Sequence, residues 1–131
     1  MNGWPFFDQG DHEISPPLSS LVLYTSRIDE MAAFYTHHFG YAVHIEEGDR
    51  IVELRPPGPG VTLLLRQMGK GRKQGQTLVK LVFAIQHVAA FCDMARAKGL
   101  EFGPLHTADG YVFANAKDPA GNSVSVSGRL A

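Results

Sequence analysis

The apolar positions of this chain follow two rhythms and switch between them four times. Over LVLYTS (21–26), Leu21, Leu23 and Thr25 share one side, while Ser20, Val22 and Tyr24 share the other. That alternation is the period of a strand. From residue 28 the spacing changes. Ile28, Met31, Ala32 and Tyr35 fall on one face of a helix, and Gly40 is placed to end it. Ser26, with Asp29 three residues on, resembles a capping box at the helix start, although that box prefers Glu or Gln in the second place. Strand alternation returns in YAVHI (41–45) and RIVELR (50–55), on either side of the turn EEGD. After PPGPG it returns again in VTLLLR (61–66).

The order then repeats. LVKLVFAI (78–85) reads as a strand, and Val88, Phe91, Cys92 and Ala95 mark a helix closed by Gly99. LEFGPL (100–105), YVFANA (111–116) and SVSVS (123–127) follow as strands. The helix faces 28/31/32/35 and 88/91/92/95 match at a constant offset of 60. Such self-similarity means one structural unit used twice. Each unit reads βαβββ, over 18–66 and 77–131, with a linker at 67–76 and an irregular arm at 1–17. Neither unit can bury both faces of its sheet alone. The expected fold is therefore α+β: two βαβββ modules within one domain, forming a curved mixed sheet, a cup, backed by two helices. Trp4, Phe6 and Phe7 are costly to leave in water, so the arm is expected to dock on its own domain or on a partner chain.

The two faces of the strands differ in composition. Leu21, Leu23, Val52, Leu54, Leu81, Phe83, Val112, Ala114, Val124 and Val126 form a uniformly apolar set that suits packing under helices. The opposite set mixes Ser20, Tyr24, Glu53, Arg55, Lys80, Tyr111, Phe113, Asn115, Ser123 and Ser125. Aromatic rings among a few polar groups fit the lining of a ligand cavity better than a merely wet face.

Composition narrows the function by exclusion. Twelve Lys+Arg stand against 13 Asp+Glu, so neither a nucleic-acid footprint nor attraction to an anionic membrane is expected. The local basic run KGRK (70–73) reads as a solvated loop, because no strand leads from it into a helix. No apolar run approaches the roughly 20 residues of a membrane span. The N-terminus does not read as a secretion signal. A single cysteine, Cys92, excludes an internal disulfide and points to a reducing, cytoplasmic setting. It shares the helix face of Val88, Phe91 and Ala95, so it reads as a small buried apolar residue.

LVLYTSRIDEMAAFYTHHFGYAV (21–43), VKLVFAIQHVAAFCDMARAKGLEF (79–102) and KDPAGNSVSV (117–126) together resemble the vicinal oxygen chelate superfamily, the glyoxalase, bleomycin-resistance and extradiol dioxygenase group. Their order and spacing carry the likeness over about residues 19–128. The resemblance implies paired βαβββ modules forming a cup, and commonly a homodimer. It also implies a divalent ion held by His and Glu in the metal-using branches. Carried over, those positions are Ser20 and Lys80 for the two histidines, Ser125 for the closing-strand glutamate, and Glu53 for a glutamate on the strand IVEL. A hydroxyl is a weak ligand for a divalent ion and an ammonium is none, so no metal and no other cofactor is expected.

The remaining histidines do not replace the missing ligands. His37 and His38 are expected to face apart near the helix end and His44 to reach the cup. His87 falls at a helix start, His106 near a turn and His12 in the arm. Glu53 and Lys80 are expected to meet as an ion pair, the ammonium taking the place of the metal's charge. Two functions follow: metal-independent binding of a small aromatic or polar molecule, or a lyase or isomerase with Glu53 as general base and Lys80 stabilising an oxyanion. A metal-dependent lyase or dioxygenase with atypical ligands is a third.

Overall fold

A computed structural model describes residues 17–71 and 79–131. Among these, the elements run β1 (Ser20–Thr25), α1 (Ile28–Phe39), β2 (Ala42–Ile45), β3 (Val52–Arg55), β4 (Thr62–Gln67), β5 (Lys80–Ala84), α2 (Val88–Ala97), β6 (His106–Ala108), β7 (Tyr111–Lys117) and β8 (Ser123–Ser127). The expected arm, with Trp4, Phe6, Phe7 and His12, lies outside the described residues except for Pro17. So does the part of the linker from residue 72 on.

The strands form two four-stranded mixed sheets, ordered β1-β4-β3-β2 and β5-β8-β7-β6. In each, the opening strand pairs in parallel with the closing strand, and the others are antiparallel. The registers match. Val22 stands beside Leu64, and Leu64 beside Glu53. Val82 stands beside Ser125, and Ser125 beside Asn115. The βαβββ repeat read from the apolar spacing is thus the repeat of the fold.

Local chemistry explains the boundaries. Gly40 closes α1 in the left-handed region at φ 73, where a glycine has no Cβ penalty. Its N–H donates to the carbonyl of Thr36, and that of Tyr41 to Tyr35. The start of α1 differs from the expected capping box. Arg27 occupies the cap position without a side-chain cap bond, and the Thr25 hydroxyl accepts the Arg27 N–H at 2.9 Å. Asp109 and Gly110, both at positive φ, make the tight hairpin between β6 and β7.

The segment 100–105 is a correction, for it is not a strand. Pro104 has no N–H to give a ladder, and only the single bond from Gly103 N–H to the Asn115 carbonyl ties it to β7. Leu100 and Phe102 turn inward instead, and Phe102 meets Phe91 edge-on at 6.2 Å.

One core lies between the sheets and the helices. Met31, Tyr35, Leu54, Leu63, Leu65, Leu81, Val124 and Val126 are buried there, with Cys92 among them. Each large aliphatic side chain so buried contributes about 2 kcal/mol. Burial also pushes the Cys92 thiol up, away from the reactive thiolate. No strand ladder joins the two sheets among the described residues. What joins them is aromatic. Phe39, at the end of α1, stacks on Phe83 of β5 at 3.9 Å and on Phe91 of α2 at 5.7 Å. Tyr41 meets Phe83 edge-on at 6.3 Å.

A polar tether lies beside this joint. Asp118, 4% exposed, accepts the N–H groups of Ala120 and Asn122, the Asn122 side-chain amide, and the Tyr35 hydroxyl at 2.8 Å. The first three bonds shape the DPAGN turn that launches β8. The fourth comes from α1, in the other module. Burial, and then the Asp118 charge, raise the Tyr35 phenol far above its ordinary range. His37 and His38 do not face apart. Their rings meet at 4.9 Å, and His38 also lies edge-on to Phe34 at 5.1 Å. Burial, with His37 and Lys98 nearby, holds His38 below the ordinary histidine value.

Candidate functional site

The faces turned away from the helices are the candidate site. Alternation fixes which residues reach them, and exposure agrees: Tyr24 is 55% and Val82 59% exposed, while Leu54, Leu65, Val124 and Val126 on the opposite face are wholly buried. No helix among the described residues is long and apolar enough to cross a membrane.

The open face of the first sheet carries Ser20, Val22, Tyr24, Thr62, Leu64, Arg66, Glu53, Arg55, Ala42 and His44. Its carboxylate is paired, while Arg66 has no ion-pair partner among the described residues. Arg55 Nε donates to Glu53 Oε2 at 2.6 Å, and His44 Nε2 meets a Glu46 carboxylate oxygen. His44 stands beside Glu53 in the ladder, so it does reach this face.

The second sheet is different in kind. Lys80, Val82 and Ala84 of β5, the serines of β8, and Tyr111, Phe113, Asn115 and Lys117 of β7 share its open face with His106 of β6. His106, expected near a turn, stacks instead on Phe113 at 5.0 Å with the rings 30° apart. Tyr111 lies beside Phe113 at 6.1 Å. The Lys80 ammonium donates to Asn115 Oδ1 at 3.3 Å and stands 5.8 Å from the Phe113 ring centre. Lys117 donates to the Ser123 hydroxyl at 3.2 Å. Arg129 reaches Tyr111 from the C-terminal end, 3.4 Å from its hydroxyl and 5.6 Å from its ring centre.

The geometry changes two expectations. The ion pair between Glu53 and Lys80 is not formed within the chain, since Glu53 is held by Arg55 on one sheet and Lys80 by Asn115 on the other. Ser125 is on the expected face but is only 2% exposed, and its hydroxyl donates to the Ala114 carbonyl at 3.0 Å. It braces the sheet and offers little to a ligand. By register, Leu64 is the first-module counterpart of Ser125, because both stand next to the opening strand at matching positions. Glu53 corresponds to Asn115.

The positions implied for a divalent ion do not fit one. They present two hydroxyls, an ammonium and one carboxylate; the Ser125 hydroxyl is committed to the backbone and Glu53 to Arg55. Among the described residues no group of three or more His, Cys, Asp or Glu is placed to hold a metal ion. Sequence reasoning missed His106, Lys117 and Arg129. The first was legible as Phe113's cross-strand neighbour only once the hairpin at Asp109-Gly110 was read, and Arg129 lies beyond the last strand.

The sequence model of the Glyoxalase/Bleomycin resistance protein/Dioxygenase superfamily matches residues 18–126. Comparison with curated proteins gives no match. Several solved structures share the fold. TnmS3, an antibiotic binding protein from Streptomyces sp. CB03234, is 17% identical, with a TM-score of 0.71 over 85% of this chain and 93% of its own. A lactoylglutathione lyase from Agrobacterium tumefaciens is 22% identical, with a TM-score of 0.66 over 86% and 94%. A superfamily member from Sphaerobacter thermophilus DSM 20745 is 21% identical, with a TM-score of 0.71 over 87% and 98%.

Proposed function

We propose that this chain, which belongs to the Glyoxalase/Bleomycin resistance protein/Dioxygenase superfamily, binds a small aromatic or polar molecule on the open faces of its sheets without a metal ion. The observation that carries this reading is the make-up of the second sheet. Three aromatic rings lie side by side there, next to an ammonium and an amide, where a metal-using arrangement needs imidazole and carboxylate. Stacking on the rings supplies affinity and the polar groups supply orientation. A fold shared with an antibiotic-binding protein is in keeping with it. Val22, Tyr24 and Val82 are large apolar groups exposed on the same faces. A ligand or a second copy of the chain covers them in a cytoplasmic homodimer.

The test is equilibrium binding of a panel of planar aromatic compounds to protein dialysed against EDTA. Saturable binding that EDTA leaves unchanged is expected. Binding abolished by EDTA and restored by zinc or nickel overturns the proposal. Glu53→Gln separates it from the lyase or isomerase alternative, in which turnover falls by orders of magnitude; in a binder only affinity changes.

A further inference from the structure

We infer that the ligand of the second sheet is an aromatic anion, such as an aryl carboxylate or phenolate, with its ring on Phe113 and its negative group at Lys80. The inference rests on the binding reading above and narrows it to one chemical class.

The argument is one of unbalanced charge. Three cations border the aromatic floor: Lys80 and Lys117 at one end, and Arg129 at the other beside Tyr111. None has a carboxylate within ion-pair distance among the described residues. The acids of this module are engaged or placed elsewhere. Asp93 and Glu101 pair with Arg96, on and just after α2. Asp118 is buried at the joint with α1. Asp109 occupies the tip of the β6–β7 hairpin. The open face of the first sheet, built on the same register, carries a carboxylate of its own, Glu53, held by Arg55, whereas the strands of the second place none on theirs.

The direction of Lys80 adds to this. In the ladder it stands beside Ser123, yet its ammonium reaches diagonally across β8 to Asn115 and over the Phe113 ring. An anionic group on a ring stacked against Phe113 meets that ammonium and the Asn115 amide together. Ion pairs gain strength where a stacked ring excludes water from one side. A neutral ring meets the same groups without the ion pair, and a cationic ring is repelled by the ammonium.

The test uses the full chain and two probes of equal shape, 2-naphthoate and 2-naphthamide, titrated by calorimetry in EDTA. Naphthoate is expected to bind about fivefold to tenfold more tightly, the gain typical of a charge-assisted hydrogen bond at a partly exposed site. Lys80→Met is expected to erase that preference, bringing the naphthoate and naphthamide affinities together. Phe113→Leu is expected to weaken both probes. Equal affinity of the two probes for the native chain, or a preference that survives Lys80→Met, overturns the inference and leaves metal-independent aromatic binding standing. Failure of both probes to bind at millimolar concentration overturns the inference and counts against the binding reading as well. Lys80 is exposed, and amide chemical shifts of the variant, unchanged away from β5 and β7, verify its fold.

Discussion

The two modules are alike where they face the helices and unlike where they face outward. On the inner side, Leu54 beside Leu63 in the first corresponds to Ala116 beside Val124 in the second, and Val52 beside Leu65 to Ala114 beside Val126. All are apolar because all pack under a helix. The second module uses smaller residues on β7, and Leu100 and Phe102 of the irregular 100–105 segment are buried in the same core. On the outer side the central rows read Val22, Leu64, Glu53 and Val82, Ser125, Asn115. Packing ties the inner residues to one another at the cost of a cavity or an overlap for any change. Outward residues answer to whatever the face binds, so the same frame carries a carboxylate paired with an arginine on one sheet and cations without a carboxylate on the other.

The comparison breaks most completely at Asp118, the one buried carboxylate among the described residues, bonded to both modules. Asp118→Ala removes four bonds and leaves the Tyr35 hydroxyl buried without its acceptor. A loss of about 3 kcal/mol in urea unfolding is expected. A loss below about 1 kcal/mol shows that the aromatic joint holds the modules without the tether. A smaller effect sharpens the contrast of the outer rows. Ser125→Ala costs about 1 kcal/mol, since a buried bond to the Ala114 carbonyl is lost while the ladder remains. Its effect on naphthoate affinity is expected to be slight, because the hydroxyl faces the backbone; a large loss places Ser125 in the ligand site.

The smallest effect concerns pH. His38 Nδ1 is buried without a hydrogen-bond partner among the described residues, and burial depresses the group below its ordinary value. The unfolded chain therefore takes up a proton before the folded one does. The stability His38 contributes is full above about pH 6.5, the unfolded value, and is lost as pH falls toward the lower folded value. His38→Gln is expected to flatten the midpoint of thermal unfolding between pH 7 and 5.5 relative to the native chain. An unchanged slope assigns the acid sensitivity to another group.

Most of the frame was legible without coordinates. The offset of 60 between helix faces appears directly in the helix starts, Ile28 and Val88. Cys92 was correctly read as core. The strand at 100–105 was misread because Leu100 and Phe102 alternate like a strand while Pro104 withholds the donor a ladder needs. The site was legible only as a face. That Tyr111, Phe113 and Asn115 share a side with Lys80 follows from the period of two.

What the sequence determined by itself is therefore periodicity: which residues turn inward, where helices stop, and that one unit is used twice. Local sterics and apolar burial set these, and both act over a few residues. Tertiary structure decided the partners. It gave Glu53 to Arg55 rather than Lys80, turned the Ser125 hydroxyl to the backbone, brought His106 onto Phe113, and joined Tyr35 to Asp118 across 83 residues of chain. Such pairings depend on the register between strands and on the meeting of modules, and a bond between distant residues leaves no period in the sequence.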